Sequence, residues 1–164
     1  MTESQNLEAK EALGAAIGCI PGGLFIVTTK QKDQTGTMLA SWIQQAAFEP
    51  PSFTIAVAKG RHIESLLQPG SPVVLNILAK GQGKLVGHFA KSFEPGVDPL
   101  AGVELGSAPS GQPYLTGAIA YLDAEVVGSM DAGDHAIVLA KITSGQKIGD
   151  GEPAVHIRKN GFKY

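Results

Sequence analysis

The chain has 164 residues, 43% of them hydrophobic and 17% charged, which suits one globular domain and argues against disorder. A formal net charge of -2 leaves no basic footprint for nucleic acid or an anionic membrane, and no apolar run approaches the ~20 residues of a membrane-spanning helix. Twenty-one glycines and ten prolines predict a turn-rich architecture, and a lone cysteine, Cys19, cannot close an internal disulfide.

The opening residues, MTESQNLEAKEALG, lack the basic and apolar regions of a signal peptide, so a cytoplasmic protein is expected. Residues 4–18 read as one amphipathic helix. Ser4 or Asn6 caps it, Leu7, Ala9, Leu13, Ala16 and Ile17 form its apolar stripe, and Gly18 ends it. Cys19 then reads as a small buried hydrophobe at the helix end. After the Pro21-Gly22-Gly23 break, short β-branched and aromatic runs predict strands at Leu24–Thr29, Thr37–Trp42, Phe53–Ala58 and Val73–Leu78.

Ile63, Leu66 and Leu67 fall at helical spacing, as do Leu85, Val86 and Phe89 before Pro95. The stretch Glu94–Pro113 reads as a long Pro/Gly-rich loop, of the kind that forms a flap or carries small local structure. Two long strands are expected at Ala118–Ser129 and Asp134–Ile148, joined as a hairpin through 130–133, with a last short strand at Ala154–Arg158. This order lacks the βαβα rhythm of a doubly wound sheet. It predicts one mainly β domain over 1–164, largely antiparallel, with peripheral helices around a barrel at about 23–158.

Gly81-Gln82-Gly83-Lys84-Leu85-Val86-Gly87 imitates a dinucleotide-binding turn, but its third glycine comes one place late and no parallel strand follows. His62, His88, His135 and His156 lie far apart, without companion cysteines or paired metal-ligand spacing, and no GxSxG motif marks a nucleophile. What remains is a pocket. Thr37 and Ser41 offer hydroxyls, and the backbone at Met38–Ala40 permits close approach. Lys59 and Arg61 flank Gly60 after a strand, and Arg61 and His62 open a helix whose N-terminal N–H groups favour an anion. Taken alone, Lys59 and Arg61 fit a solvated turn at least as well, and Trp42, Phe48 and Phe53 fit a core. A second constellation is Asp131-Ala132-Gly133-Asp134-His135, where Asp134 can orient the histidine ring.

These residues resemble the flavin reductase family of FMN-binding split barrels. The likeness rests on Pro21–Thr29, Met38–Trp42 with Pro50-Pro51, Val74–Leu78, His88–Ala90 and Gly133-Asp134-His135, in that order over nearly the whole chain. Closer phrases, Phe53–Lys59, Ile63–Leu66 and Ala154–Lys159, resemble the C-terminal flavin reductase module of cyanobacterial-type flavodiiron proteins, although no metal-binding or flavodoxin-like domain precedes them here.

The resemblance implies a Greek-key split β-barrel that binds FMN in preference to FAD and takes NADH or NADPH as substrate. It implies that Thr37, Met38, Leu39, Ala40, Ser41 and Trp42 lie along the flavin, largely through backbone. Val57, Ala58, Lys59, Arg61 and His62 would surround its ring edge and phosphate, and Asn76 and Phe89 the ribityl chain and pocket wall. His135, with Asp134 and Tyr164, would face the nicotinamide and act in catalysis. The expected assembly is a homodimer passing electrons to oxygen, to a flavodiiron protein or to another acceptor protein. The alternative is a non-enzymatic FMN relay or sensor on the same barrel, with a heme- or pyridoxal-binding barrel behind it.

Overall fold

The computed structural model describes residues 2–94 and 96–163. Helix α1 (Glu3–Gly18) leads into the two-residue strand β1 (Gly22–Gly23), followed by β2 (Phe25–Gln31), β3 (Gln34–Ala40), β4 (Ile43–Phe48) and β5 (Pro51–Ala58). Short helices α2 (His62–Leu66) and α3 (Gly83–Phe89) bracket β6 (Pro72–Ile77). Strands β7 (Leu105–Ser107) and β8 (Pro113–Leu115), the long pair β9 (Ala120–Asp131) and β10 (His135–Lys147), and β11 (Val155–His156) complete the chain.

Seven strands form one sheet in the order β3-β2-β6-β9-β10-β5-β4, and every pairing in it is antiparallel. The architecture is therefore mainly β with few helices, as the strand-rich sequence predicts. The two edge strands, β3 and β4, are consecutive in the chain, with only Ser41 and Trp42 between them. A flat sheet would hold its edges about 29 Å apart across six inter-strand steps. The three Cα steps from Ala40 to Ile43 reach at most about 11 Å. The sheet must curl until its edges meet at that end, and among the described residues no ladder joins β3 to β4.

The inside of the curl is the main core, and all seven strands supply it. Val27, Met38, Ile43, Ile55, Val73, Ala124 and Val138 pack there with Ile63 from α2. A second cluster, including Ile26, Leu78, Phe89, Leu100 and Leu115, fills the space between the sheet's outer face, α3 and the segment after it. Strand β2 is consequently buried on both faces along Ile26–Thr29.

Several expectations are corrected. Thr2 caps α1 in a capping box, its Oγ1 accepting from Gln5 N at 3.3 Å while its own N–H donates to the Gln5 side chain at 2.8 Å. Ser4 and Asn6 lie inside the helix. The apolar stripe does not face a core: Leu7 is 59% and Leu13 54% exposed, and only Gly14 and Gly18 are buried. The helix docks through those glycines because its backbone lies directly on the chain end; a Cβ at Gly18 would stand 2.6 Å from the Arg158 carbonyl oxygen. Cys19 is exposed, its thiol 3.5 Å from the Ala15 carbonyl, since that packing leaves the end of α1 outside.

The expected strand at 37–42 starts earlier and stops at Ala40, and a further edge strand, β4, follows it unpredicted. The stretch 94–113 contains β7, whose hairpin with β8 seals over Ala108 and Tyr121. Gly83 does start α3 after β6, but the chain does not return as a parallel strand. Among the described residues no helix is long and apolar enough to cross a membrane.

Lys59 ties β5 to the far side of β10 rather than lining a cavity. Its Nζ lies 2.5 Å from Asp131 Oδ2, joining the end of β5 to the β9–β10 turn, and Asp131 Oδ1 accepts from Gly133 N at 2.9 Å. The hydrogen bond from Lys59, the Gly133 N–H and the lysine charge hold the Asp131 carboxyl below its ordinary value of 3.8. A depressed carboxyl stabilises the turn above the unfolded-state value and loses that contribution as pH falls through the folded-state value. An NMR pH titration should accordingly find Asp131 titrating below an ordinary aspartate, and Lys59→Ala should move it back toward 3.8. For the core, Ile55→Ala should cost about 2–5 kcal/mol in denaturant unfolding, whereas Phe48→Ala, at a side chain 89% exposed, should stay within roughly 0.5 kcal/mol.

Candidate functional site

Where the sheet curls to bring its edges together, a groove of about 1260 Å³ opens along β3. Its floor is β3 and the link that follows it: Thr37, Met38, Leu39, Ala40, Ser41 and Trp42 all line it. Ala56 and Ala58 of β5 approach from the far edge, and their small side chains, with Ala40 and Ser41, leave space that larger residues would fill. The Trp42 carbonyl accepts from Ala56 N at 3.0 Å, which pins the link to β5 and fixes the width of the groove at this end.

One wall is the turn after β5, with Gly60, Arg61, His62 and Ile63. Gly60 has a φ of +83°, a conformation only glycine adopts without strain, and its N–H donates to Glu64 Oε2 at 2.6 Å. That carboxylate already answers the N–H at the mouth of α2, a helix of only five residues, so the anion-favouring character of the turn rests on Arg61 and His62. The opposite wall is Phe89 at the end of α3 and the segment that follows it. His88 Nε2 lies 2.8 Å from the Pro99 carbonyl and holds that segment to α3. Lys30, Lys32 and Lys91 stand along the outer lip with Asp33, Glu94 and Asp98 among them, so the net field there is weak.

Beside the groove lies a second cavity, about 250 Å³, bounded by Trp42, Asp134, His135, Arg158 and residues 161–163. His135 begins β10 opposite Ala58, and its Nδ1 sits 2.8 Å from Asp134 Oδ1, the geometry of an imidazole N–H donating to a carboxylate. This hydrogen bond and the attraction of the ring hold the Asp134 carboxyl below its ordinary range. The His135 side chain is 12% exposed and its ring centroid is 5.0 Å from that of Trp42. On Trp42 the Arg158 guanidinium also lies, 4.7 Å from the ring centroid.

Most of the residues singled out from the sequence thus meet at two adjoining spaces: 37–42, Ala58, Arg61, His62 and Phe89 at the groove, Asp134 and His135 at the smaller cavity. Three do not. Val57 is 0% exposed, its side chain turned into the core by strand alternation. Asn76 is equally buried, its amide donating to the Ile26 carbonyl at 3.0 Å while its oxygen accepts from Leu115 N at 2.7 Å. It is a structural tie between β6, β2 and β8. Lys59 is engaged with Asp131. Tyr164 lies outside the described residues.

The sequence reading passed over His156, which lines the groove, and Arg158 as a partner of Trp42. No sequence signal pointed to His156, because alternation would turn the apolar Val155 and Ile157 inward; in the structure they are 61% and 65% exposed, and the histidine between them faces the other way.

Comparison with known proteins gives the family to which this fold belongs. The family described as Flavin reductase like domain matches residues 17–163. Diflavin flavoprotein A 1 of Synechocystis sp. is 50% identical over 154 residues, which cover 93% of this chain and 27% of the relative; the chain thus spans about a quarter of that protein's length. Among solved structures, the Streptomyces globisporus C-1027 NADH:FAD oxidoreductase SgcE6 superposes with a TM-score of 0.80 at 24% identity, covering 97% of this chain and 92% of that one. The styrene monooxygenase flavin reductase of Pseudomonas putida S12 gives 0.73 at 19% identity, covering 87% and 90%. With the family matched over residues 17–163, all but most of α1 and the last residue, the chain belongs to the flavin reductase like domain family.

Proposed function

We propose that this chain is an NAD(P)H-dependent flavin reductase that holds FMN in the groove along β3 and receives nicotinamide in the cavity beside His135. The observation that carries the reading is the groove itself: a long space floored by backbone and small side chains, with Arg61 and His62 on one wall, in a chain of this family. A planar ring system fits against Ala40, Ser41, Ala56 and Ala58, and Arg61 is placed for a phosphate. Bound there, the flavin would supply the redox chemistry: a hydride leaves C4 of the dihydronicotinamide, which is oxidised, and reaches flavin N5, the electrons passing later to an acceptor such as oxygen or a partner protein.

The chain's own part is positioning. Ser41 and the backbone of β3 orient the ring, and the curled sheet keeps water from its inner face. His135, held by Asp134, fixes the nicotinamide end. That SgcE6 is described as an NADH:FAD oxidoreductase supports the nicotinamide half of the reading. We read the curled sheet as the split barrel of this family, forming a single unit over the whole chain.

A homodimer suits the surface. Leu7, Leu13, Ile20, Val155, Ile157 and Phe162 are each at least half exposed, on α1, the residues after it and the C-terminal segment. Sedimentation should find a species of twice the 17.0 kDa chain mass, and Leu7→Glu with Leu13→Glu should shift it to the monomer.

The direct test of function is a flavin titration followed by anaerobic addition of NADH or NADPH, with bleaching of the flavin absorbance as the readout. Arg61→Ala should weaken FMN binding roughly tenfold or more and leave riboflavin, which has no phosphate, unaffected. His135→Ala should slow bleaching or raise the nicotinamide requirement; unchanged values of both would remove His135 from the reaction. A protein that binds FMN but is not bleached by either nicotinamide is an electron relay instead.

A further inference from the structure

Among the described residues, the groove and the small cavity have one lining residue in common, Trp42. Its ring is clasped on the cavity side, with the Arg158 guanidinium 4.7 Å from the ring centroid and the His135 ring at 5.0 Å and 46°. Arg158 is itself fixed. Its Nη1 donates to the Gly161 carbonyl at 3.0 Å, and Gly161 N donates to the Gly14 carbonyl of α1 at 2.6 Å. A chain of contacts therefore runs from α1 through the C-terminal segment to the indole. Asp134 and Lys163 are the other charged groups bounding the cavity.

We propose that Trp42 is a movable partition between the flavin groove and the nicotinamide cavity, and that Arg158 is the positioning residue that holds it closed. This rests on the functional reading above, because it assigns one occupant to each space. Hydride transfer needs the reacting atoms within about 3–3.5 Å. An aromatic ring left between two planar reactants occupies one full van der Waals layer of about 3.5 Å, so the reactants would stand about 7 Å apart. The indole has to swing aside before the two spaces become one. A cation–π contact biases such a two-position equilibrium by roughly 2- to 30-fold, enough to favour closure and weak enough to open on the timescale of turnover. The closed partition would keep oxygen and water from the reacting face until nicotinamide arrives.

Trp42 is the single tryptophan of the chain, so emission excited at the red edge of tryptophan absorption, beyond the three tyrosines, reports on this ring alone. The experiment uses the full chain with FMN, and NADH carrying hydrogen or deuterium at C4, in anaerobic stopped flow with emission and flavin absorbance recorded together. In the wild type the Trp42 emission change should come no later than bleaching, with an isotope effect close to unity because opening limits the rate. Arg158→Gln should shift Trp42 emission before nicotinamide is added, raise the limiting bleaching rate roughly 2- to 30-fold and expose the isotope effect. Arg158→Lys, which keeps the charge but loses the planar stack, should fall between them. A full isotope effect in the wild type, or Arg158→Gln with native emission and an unchanged limiting rate, overturns the proposal. Failure of FMN to quench Trp42, or of NADH and NADPH to bleach the flavin in every variant, overturns the functional reading and the partition with it.

Discussion

Two residues, Ser41 and Trp42, separate the two edge strands of a seven-stranded sheet. That shortness is the constraint from which the rest follows. Edges that would lie far apart in a flat sheet are forced to meet, the inner faces of all seven strands turn toward one another, and a single core fills the curl. The link cannot itself pair as a strand, so the edges part there, and the groove lies along the opening. The same two residues line it. The link also cannot drift, because the Trp42 carbonyl is hydrogen-bonded to β5.

The energetics divide accordingly. Closure depends on burial of Met38, Ile43, Ile55 and their neighbours, each contributing about 1.5–3 kcal/mol. The polar ties at the opening have a different role. Asn76 secures three elements behind the groove, and Lys59 secures the turn beside it through an exposed pair worth little to global stability. A rigid core thus backs a site whose rim is held by a few polar ties, among them the Ala56–Trp42 backbone bond and the His88–Pro99 contact.

Much of this was legible in the sequence, and the failures have physical causes. The β-branched runs located β2, β5, β6, β9 and β10 because those strands bury apolar side chains, β2 and β6 on both faces. Strand β4 escaped notice because it is an edge: of Ile43–Phe48 only the first residue is buried, so no period-two pattern exists to read. The helix α1 misled for the opposite reason. Its leucines have the spacing of a core-facing stripe, but the face that docks is Gly14 and Gly18, where the absence of side chains is what matters. For the candidate site, the run 37–42 drew notice as hydroxyl and small residues at a strand end, and all six residues line the groove. Asn76 and Val57 line neither space, because a resemblance transfers a position along the chain, not the direction of its side chain. Strand alternation decides that direction, and at both positions it points inward.

The alternation at β11 carries the final step. His156 turns into the groove while Val155 and Ile157 turn outward and stay exposed. Two residues further on, Arg158 reaches Trp42. One short segment therefore supplies a residue to the groove and another to the face of Trp42, while its apolar side chains stay exposed.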